Sequence, residues 1–344
     1  MANDAKIKAA ILGGSGYTAA ELIAIVLRHP RIELTAITSR QGEQASLIAD
    51  LHPRFRGRLS LRCEALDADR LVTKGVEAVF SCLPHGISME SIPPLLARRL
   101  RVIDLSADYR LRDANLYAQW YKESHADLAN LARAVYGLPE VYGQELPEAQ
   151  LVANPGCYPQ GAVLGLLPLV ASQTVELNSL IIDAKSGVSG AGRTPGPTTH
   201  FPECNESVTA YGVGTHRHTP EIEQTLSDVA GSNVQVVFTP HLIPMDRGIF
   251  TTIYATPTRQ VTEAQLVDLY REYYRQSPFV RIVDPLPTTK ATLHTNFCDV
   301  AVRLVRDRII VLTCLDNLVR GASGVAVQNC NRMFGFSETD GLLF

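Results

Sequence analysis

An apolar run over residues 7–13 ends in Gly13-Gly14-Ser15-Gly16-Tyr17-Thr18-Ala19 and passes directly into a helical pattern over residues 18–28. Strand, glycine turn and helix in that order constrain the fold more than any other feature, because the unit is completed by a parallel strand reached through a right-handed crossover. The chain continues in that way. Strand-like runs at residues 32–38, 76–83 and 102–105 alternate with helical ones, including a helix expected near residues 87–98. Such alternation predicts a doubly wound parallel sheet. The turn reads G-x-x-G-x-x-A, with Gly13 and Gly16 giving close backbone approach and Ala19 small enough for helix and strand to pack. Backbone N–H groups at a turn of this kind, with a helix dipole behind them, bind nucleotide phosphates.

Beyond about residue 150 the pattern changes. Short β-rich runs appear at residues 179–184, 234–238, 249–255 and 280–283, and residues 296–305 and 308–315 read as a hairpin closed at Arg306-Asp307. A helix over residues 262–276 opens with Thr262-Glu263-Ala264-Gln265, the spacing of a capping box. The expected class is α/β: a Rossmann-type doubly wound parallel sheet at residues 1–153, an α+β domain at 154–316, and a C-terminal helix within 317–344 that returns to the first domain. With 344 residues, 46% of them hydrophobic, the chain is long enough for two cores.

Its 32 basic and 35 acidic residues leave a net charge of −3, so it has no basic field to attract nucleic acid or an anionic membrane. The longest apolar run, residues 161–171, is interrupted by Pro168 and falls short of the roughly 18 residues that read as a membrane span. Met1-Ala2-Asn3-Asp4-Ala5-Lys6 leads to the first strand without the apolar segment of a signal peptide, and a cytoplasmic protein is expected. Seven cysteines, at 63, 82, 157, 204, 298, 314 and 330, include no C-x-x-C pair. They fit a reducing compartment and argue against both a disulfide framework and a structural zinc. No metal is expected.

One of these cysteines stands apart. Asn154-Pro155-Gly156-Cys157-Tyr158-Pro159 sets a thiol on a tight turn ahead of a helical run, where backbone N–H groups and the macrodipole favour a thiolate. About sixty residues on, His216-Arg217-His218-Thr219-Pro220-Glu221 offers imidazoles for proton transfer and a carboxylate to orient them. A nucleotide turn and a reactive thiol in one chain point to a dehydrogenase that works through a thioester. Thr38-Ser39-Arg40, where an NAD site would carry an acid on the ribose, favours NADP, since a hydroxyl and a guanidinium suit a 2′-phosphate. Ser186-Gly187-Val188-Ser189-Gly190-Ala191-Gly192-Arg193 is a second glycine-rich loop, whose N–H groups would cradle a phosphate or line a nicotinamide pocket. Arg110, in Asp104-Leu105-Ser106-Ala107-Asp108-Tyr109-Arg110, either grips a substrate carboxylate or pairs with Asp104 or Asp108.

Taken together with Leu83-Pro84-His85-Gly86, Tyr136-Gly137-Leu138-Pro139-Glu140, Phe238-Thr239-Pro240-His241-Leu242 and Asp316-Asn317-Leu318 running on to Gln328-Asn329, these stretches resemble the N-acetyl-gamma-glutamyl-phosphate reductase family, type 1. The matches run collinearly through almost the whole chain. The resemblance implies a Rossmann domain completed by the C-terminal helix, and a catalytic domain that also mediates assembly into a homo-oligomer, dimer or tetramer. It implies Cys157 as nucleophile, His216 and His218 in substrate binding and proton transfer with His218 carrying the proton, and Arg110, Glu221 and Asn154 on a small acyl-phosphate substrate. Gly13, Ser15, Gly16, Tyr17, Thr18, Ser39, Arg40, Pro84, Ser186, Gly187 and Asn317 would bind NADP. The implied reaction is reduction of N-acetyl-L-glutamyl 5-phosphate to N-acetyl-L-glutamate 5-semialdehyde by NADPH, in arginine biosynthesis. Ala19 and Gln160 depart from the usual Gly and Thr. Three rivals stay open at this point: a carrier-linked aminoadipyl-phosphate reductase of lysine biosynthesis, a Cys-His hydrolase, and a non-catalytic NADP-binding sensor.

Overall fold

A computed structural model describes residues 6–39 and 45–343. The chain divides into two compact units, residues 1–155 with 322–344, and residues 156–321.

Seven strands form the first sheet: β1 (Ile7–Leu12), β2 (Ile32–Thr38), β3 (Cys63–Glu64), β4 (Val76–Ser81), β5 (Arg101–Asp104), β6 (Val135–Tyr136) and β7 (Leu151–Ala153). Their order is β3-β2-β1-β4-β5-β7-β6, and every pairing is parallel. The order reverses direction between β1 and β4, so a crevice opens at the carboxyl ends of these two strands. A core of Ala10, Leu12, Val76, Val79, Ile92, Leu95, Val102 and Leu151 packs on the sheet. The helix expected over residues 87–98 is broken into Ser88–Ser91 and Pro93–Ala97, because two successive prolines at 93 and 94 start a new first turn more readily than they continue an old one. The last helix, Gly324–Met333, follows a π-turn at Val319–Ser323 and belongs to this unit. Ser323 donates to the carbonyl of Thr18, and Arg332 to that of Gly143.

The second unit carries β8 (Ile181–Ser186), β9 (Thr209–Ala210), β10 (Val237–Leu242), β11 (Ile249–Ala255), β12 (Val280–Ile282), β13 (Cys298–Val305) and β14 (Arg308–Leu315). They form a mixed sheet in the order β12-β13-β14-β11-β8-β10-β9, with β13 and β14 as the expected hairpin. The strand expected at residues 234–238 lies later, over β10, and includes Pro240. Proline reads as a breaker in sequence, yet here the Pro240 carbonyl still accepts from Tyr211 N–H. Helix Glu263–Tyr273 starts at the Thr262 capping box, its side chain and that of Gln265 each taking the other's backbone N–H.

Against this sheet lies helix Cys157–Ala171, buried at every position except Cys157 and Ala171. Gly161 and Gly165 present no side chain to the sheet, so the helix comes close: a Cβ at Gly165 would stand 2.6 Å from Ile253 Cδ1, and one at Gly161 3.0 Å from Thr313 Oγ1. Pro168 sits inside the helix and lacks the N–H that would bond the Leu164 carbonyl. Tyr274 donates its hydroxyl to that carbonyl instead, and Tyr270 donates to the next one, Gly165. The opposite face of the sheet is open, with Ile181 45%, Val237 60% and Tyr254 38% exposed.

Candidate active site

In the first unit the loops after β1, β2, β4, β5 and β7 all leave the carboxyl edge of the parallel sheet. That edge therefore gathers Gly13 to Gly16, Ser39, Pro84, Arg110 and Asn154, while Arg40 lies outside the described residues. Gly13 adopts φ +78°, and a Cβ there would meet the Cys82 carbonyl oxygen at 2.7 Å, so glycine is required twice over. The N–H groups of Gly13 and Gly14 both donate to the Thr38 carbonyl, at 3.0 and 2.9 Å. Gly16 caps helix Tyr17–Val26 without a side-chain acceptor, and among the described residues no atom beyond its chain neighbours lies within 4 Å of its absent Cβ. An open, uncapped helix N-terminus behind a glycine turn fits a phosphate.

The Pro84 loop is held from below. Both Asp108 carboxylate oxygens accept from Gly86 N–H at 3.0 Å, and the same carboxylate accepts from Met89 N–H and Tyr117 hydroxyl. Asp104, fully buried, accepts from Ser106 and Ser88. Burial pushes its carboxyl up to about 6 against the pull of those hydrogen bonds. Arg110 donates to the carbonyls of Asn154 (2.8 Å) and Leu105 (2.9 Å). Asn154 in turn donates to the Ala322 carbonyl and accepts from Asn329. Two residues expected on the substrate thus commit polar atoms to partners within the first unit.

In the second unit Cys157 is the first residue of its helix, with Gly156 as N-cap. Glu221, 1% exposed in the first turn of helix Thr219–Ala230, accepts the Gly156 N–H at 2.7 Å. On the other side Gly321 presses against the cysteine, since a Cβ there would stand 2.9 Å from Cys157 Cβ. The π-turn that carries Gly321 is set by Asp316: its carboxylate takes the N–H groups of Leu318 and Val319 and pairs with Arg247 at 2.7 Å, and its carbonyl takes Gly321 N–H. Sequence reasoning missed Gly321 and Arg247. Nothing local marks either one, because their neighbours come from distant segments.

The glycine-rich loop after β8 corrects an expectation. Its N–H groups are not a phosphate cradle: those of Gly187, Val188 and Ser189 donate to the carbonyls of Gly248, Met245 and Asp246, and that of Gly190 to Gly187. Gly187 is required because the Asp246-Arg247 backbone lies where its Cβ would be. Asn317 closes the arrangement, accepting from Gly248 N–H and donating to Ser189 Oγ.

His216 sits among rings, with centroids of Tyr158, Tyr211, Phe238 and His218 at 5.5, 5.4, 5.4 and 4.8 Å. Its Nδ1 accepts the backbone N–H of His218 at 3.1 Å, so the neutral ring carries its proton on Nε2. Burial, with Arg217 adding, pushes its pKa down to about 4. His218 is the N-cap residue of helix Thr219–Ala230 in αR conformation; the two rings meet at a turn and not along a strand. Tyr211 donates to Tyr158, which donates to the His241 carbonyl. Burial raises Tyr211 to about 12, opposed by the Tyr158 hydrogen bond and reinforced by negative charge on Cys157. The thiol therefore lies within electrostatic range of this aromatic cluster.

A family model described as the NAD binding domain of semialdehyde dehydrogenase matches residues 8–149, and one described as the semialdehyde dehydrogenase dimerisation domain matches residues 157–317. The N-acetyl-gamma-glutamyl-phosphate reductase of Desulforudis audaxviator is 49% identical over 346 residues, 98% of each chain, and that of Moorella thermoacetica 47% identical over 97% of each. The chain belongs to the N-acetyl-gamma-glutamyl-phosphate reductase family. Among solved structures, aspartate semialdehyde dehydrogenase II from Vibrio cholerae matches with a TM-score of 0.72 at 15% identity, over 95% of this chain and 98% of that one. The Candida albicans aspartate semialdehyde dehydrogenase with NADP matches equally well at 13% identity over the same shares. At such identity the likeness is one of fold. Membership of a reductase family removes the Cys-His hydrolase and the non-catalytic sensor.

The neutral His216 has a measurable consequence. Its folded pKa of about 4 lies below the ordinary 6.5, so between those values the unfolded chain binds a proton that the native chain does not. Stability then falls as pH drops through that window and is unaffected by this group above it. Thermal unfolding followed across this range should lose Tm less steeply in His216→Phe than in the wild type; parallel slopes would show that His216 charges freely in the fold.

Proposed function

We propose that this chain reduces N-acetyl-L-glutamyl 5-phosphate to N-acetyl-L-glutamate 5-semialdehyde with NADPH, through a thioester on Cys157. The near full-length identity to reductases of that name carries the reading. The thiol at the start of a buried helix, wedged between the Glu221-bound Gly156 and Gly321, supports it. In this reading the Cys157 thiolate adds to the acyl carbon, forming a C–S bond, and the carbonyl becomes an oxyanion faced by the first N–H groups of the helix. The oxyanion collapses, the bond from the acyl carbon to the bridging phosphate oxygen breaks, and inorganic phosphate leaves with that oxygen. His216, neutral with its proton on Nε2, donates to a substrate oxygen, while His218 moves the proton as the later adduct on sulfur collapses to the aldehyde and the C–S bond breaks. Arg110 and Asn154, braced within the first unit, would meet the substrate carboxylate.

The glycine turn fits a dinucleotide: Gly13, Ser15, Gly16, Tyr17 and Thr18 would hold its pyrophosphate, Ser39 and Arg40 the 2′-phosphate, and Pro84, Ser186 and Gly187 the nicotinamide half, with Asn317 bracing the loop. Bound there, the nicotinamide supplies the hydride that reduces the thioester. Residues 1–153 with the helix of 317–344 would thus serve the cofactor, and residues 154–316, apart from Ser186 and Gly187, the acyl group. The open sheet face bearing Ile181, Val237 and Tyr254 is where a second copy would pack, in keeping with the dimerisation domain that the family model describes.

In the oxidative direction, purified protein should reduce NADP with N-acetyl-L-glutamate 5-semialdehyde only when phosphate or arsenate is present, because an oxyanion must release the acyl group from sulfur. Cys157→Ala should abolish that turnover and still bind NADPH. Turnover without phosphate, or in Cys157→Ala, would rule the mechanism out, and a higher kcat/KM for carrier-linked aminoadipate semialdehyde would move the substrate to the lysine-pathway compound. Arg40→Ala should raise KM for NADPH roughly ten- to a hundredfold more than for NADH, the loss of one charge-assisted hydrogen bond; equal increases would deny Arg40 a role in selectivity. Ile181→Asp, which puts a charge on the open sheet face, should give monomers by light scattering where the wild type gives dimers or tetramers, and an unchanged mass would place the interface elsewhere.

A further inference from the structure

Residues 48–55 form a strap beside the glycine turn. It consists of a short helix, Ile48–Leu51, and a 3-10 turn, Pro53–Phe55, joined at His52. His52 is buried and its Nε2 lies 2.8 Å from the carbonyl oxygen of Gly14. A carbonyl only accepts, so Nε2 carries the proton and donates. The ring is seated edge-on to Phe55, which is fully buried. The strap also reaches the helix behind the turn, where Arg54 pairs with Glu21 at 2.8 Å. Ile48 Cδ1 and Ile37 Cγ2 crowd the site of a Gly14 Cβ, at 3.4 and 2.5 Å. Gly14 is thus pinned by packing as well as by hydrogen bonds.

Three consecutive peptide units are oriented in this way. Two of them point the N–H groups of Gly13 and Gly14 at the Thr38 carbonyl, and the third points the Gly14 carbonyl at His52. In a planar trans peptide the N–H is antiparallel to the C=O. The Ser15 N–H is therefore directed away from the buried His52 ring, on the way to the uncapped helix N-terminus at Gly16. If the Gly14–Ser15 peptide turned over, that N–H would face inward and a carbonyl oxygen would face an incoming phosphate, exchanging an attraction for a repulsion.

We propose that His52 is a positioning residue for the nucleotide: by donating to the Gly14 carbonyl it aims the Ser15 N–H at the pyrophosphate. The proposal rests on the nucleotide reading of the glycine turn. Wild-type titration with NADPH tests that reading separately, since a wild type that does not bind would remove the ligand and leave His52 nothing to position. In a wild type that binds, His52→Leu should raise the Kd for NADPH roughly tenfold, the effect of one misdirected hydrogen bond, with kcat at saturating cofactor unchanged. His52→Gln, whose side-chain amide can donate from the same place, should restore Kd to near the wild-type value. The Kd for 2′-AMP, which has no pyrophosphate, should be the same in all three proteins. Should His52→Leu not fold, His52→Phe keeps a planar ring without the donor and makes the same comparison. The proposal is overturned if the donor-less variant binds NADPH as tightly as the wild type. It is also overturned if NADPH and 2′-AMP weaken together, or if His52→Gln is no better than His52→Leu, because each of those outcomes describes a packing role.

Discussion

The hydrogen bond from Gly156 N–H to Glu221 joins the two helix starts that carry the candidate site of the second unit. One helix begins with the thiol, the other with the pair of histidines, and their first turns are sequence neighbours of this single contact. Glu221 can do this because it lies in the first turn of its own helix, where a carboxylate is favoured by the dipole, and reaches the N-cap of the other, where a backbone N–H lacks a helical partner. A buried carboxylate taking a backbone N–H contributes about 1.5–3 kcal/mol. The larger effect is geometric, because a shift of Gly156 would carry Cys157 with it.

That precision needs a rigid support, and the composition of helix Cys157–Ala171 provides one. A helix apolar on every side has no solvated face and must be enclosed. Its two sheet-facing glycines bring the backbone onto β11 and β14, and Tyr270 and Tyr274 clamp the carbonyls around Pro168 from another direction. Each tyrosine places its ring in the core and its hydroxyl on a backbone acceptor. Gly321 lies against Cys157, where a Cβ would stand 2.9 Å from the cysteine Cβ. The backbone that carries the thiol is thus fixed by the fold itself.

Much of this was legible in the sequence where the signal is local. The glycine turn, the second-domain hairpin and the Thr262 capping box each occupy a handful of consecutive residues whose types dictate their backbone, and each is found where its residues put it. The cysteine motif belongs to the same class. Errors arose where distance matters. Residues 186–193 look like a phosphate cradle by composition, but their N–H groups meet the 245–248 turn, which approaches from more than fifty positions away. Arg110, read either as a carboxylate clamp or as the partner of Asp104 or Asp108, also donates to the carbonyls of Asn154 and Leu105, which no local signal announces. Prolines at 93, 94 and 240 misled in opposite senses, one pair splitting a helix and the other tolerated in a strand, because the outcome is decided by which N–H the partner element needs.

The two histidines show how the fold divides roles between groups of the same type. Rings whose centroids are 4.8 Å apart cannot both be cations without a repulsion that burial strengthens. His216, enclosed by Tyr158, Tyr211 and Phe238, is held neutral chiefly by burial, with the Arg217 charge adding to it. Its Nδ1 is already taken by the His218 backbone N–H, which fixes the proton on Nε2 and makes it a donor of constant state through the neutral range. The tyrosines obey the same logic with opposite sign: with Tyr211 held near 12 by burial and Tyr158 raised further, both hydroxyls stay neutral. Under the proposed mechanism one anion, on Cys157, and one proton, on His218, are then the only mobile charges that these side chains contribute to the reaction.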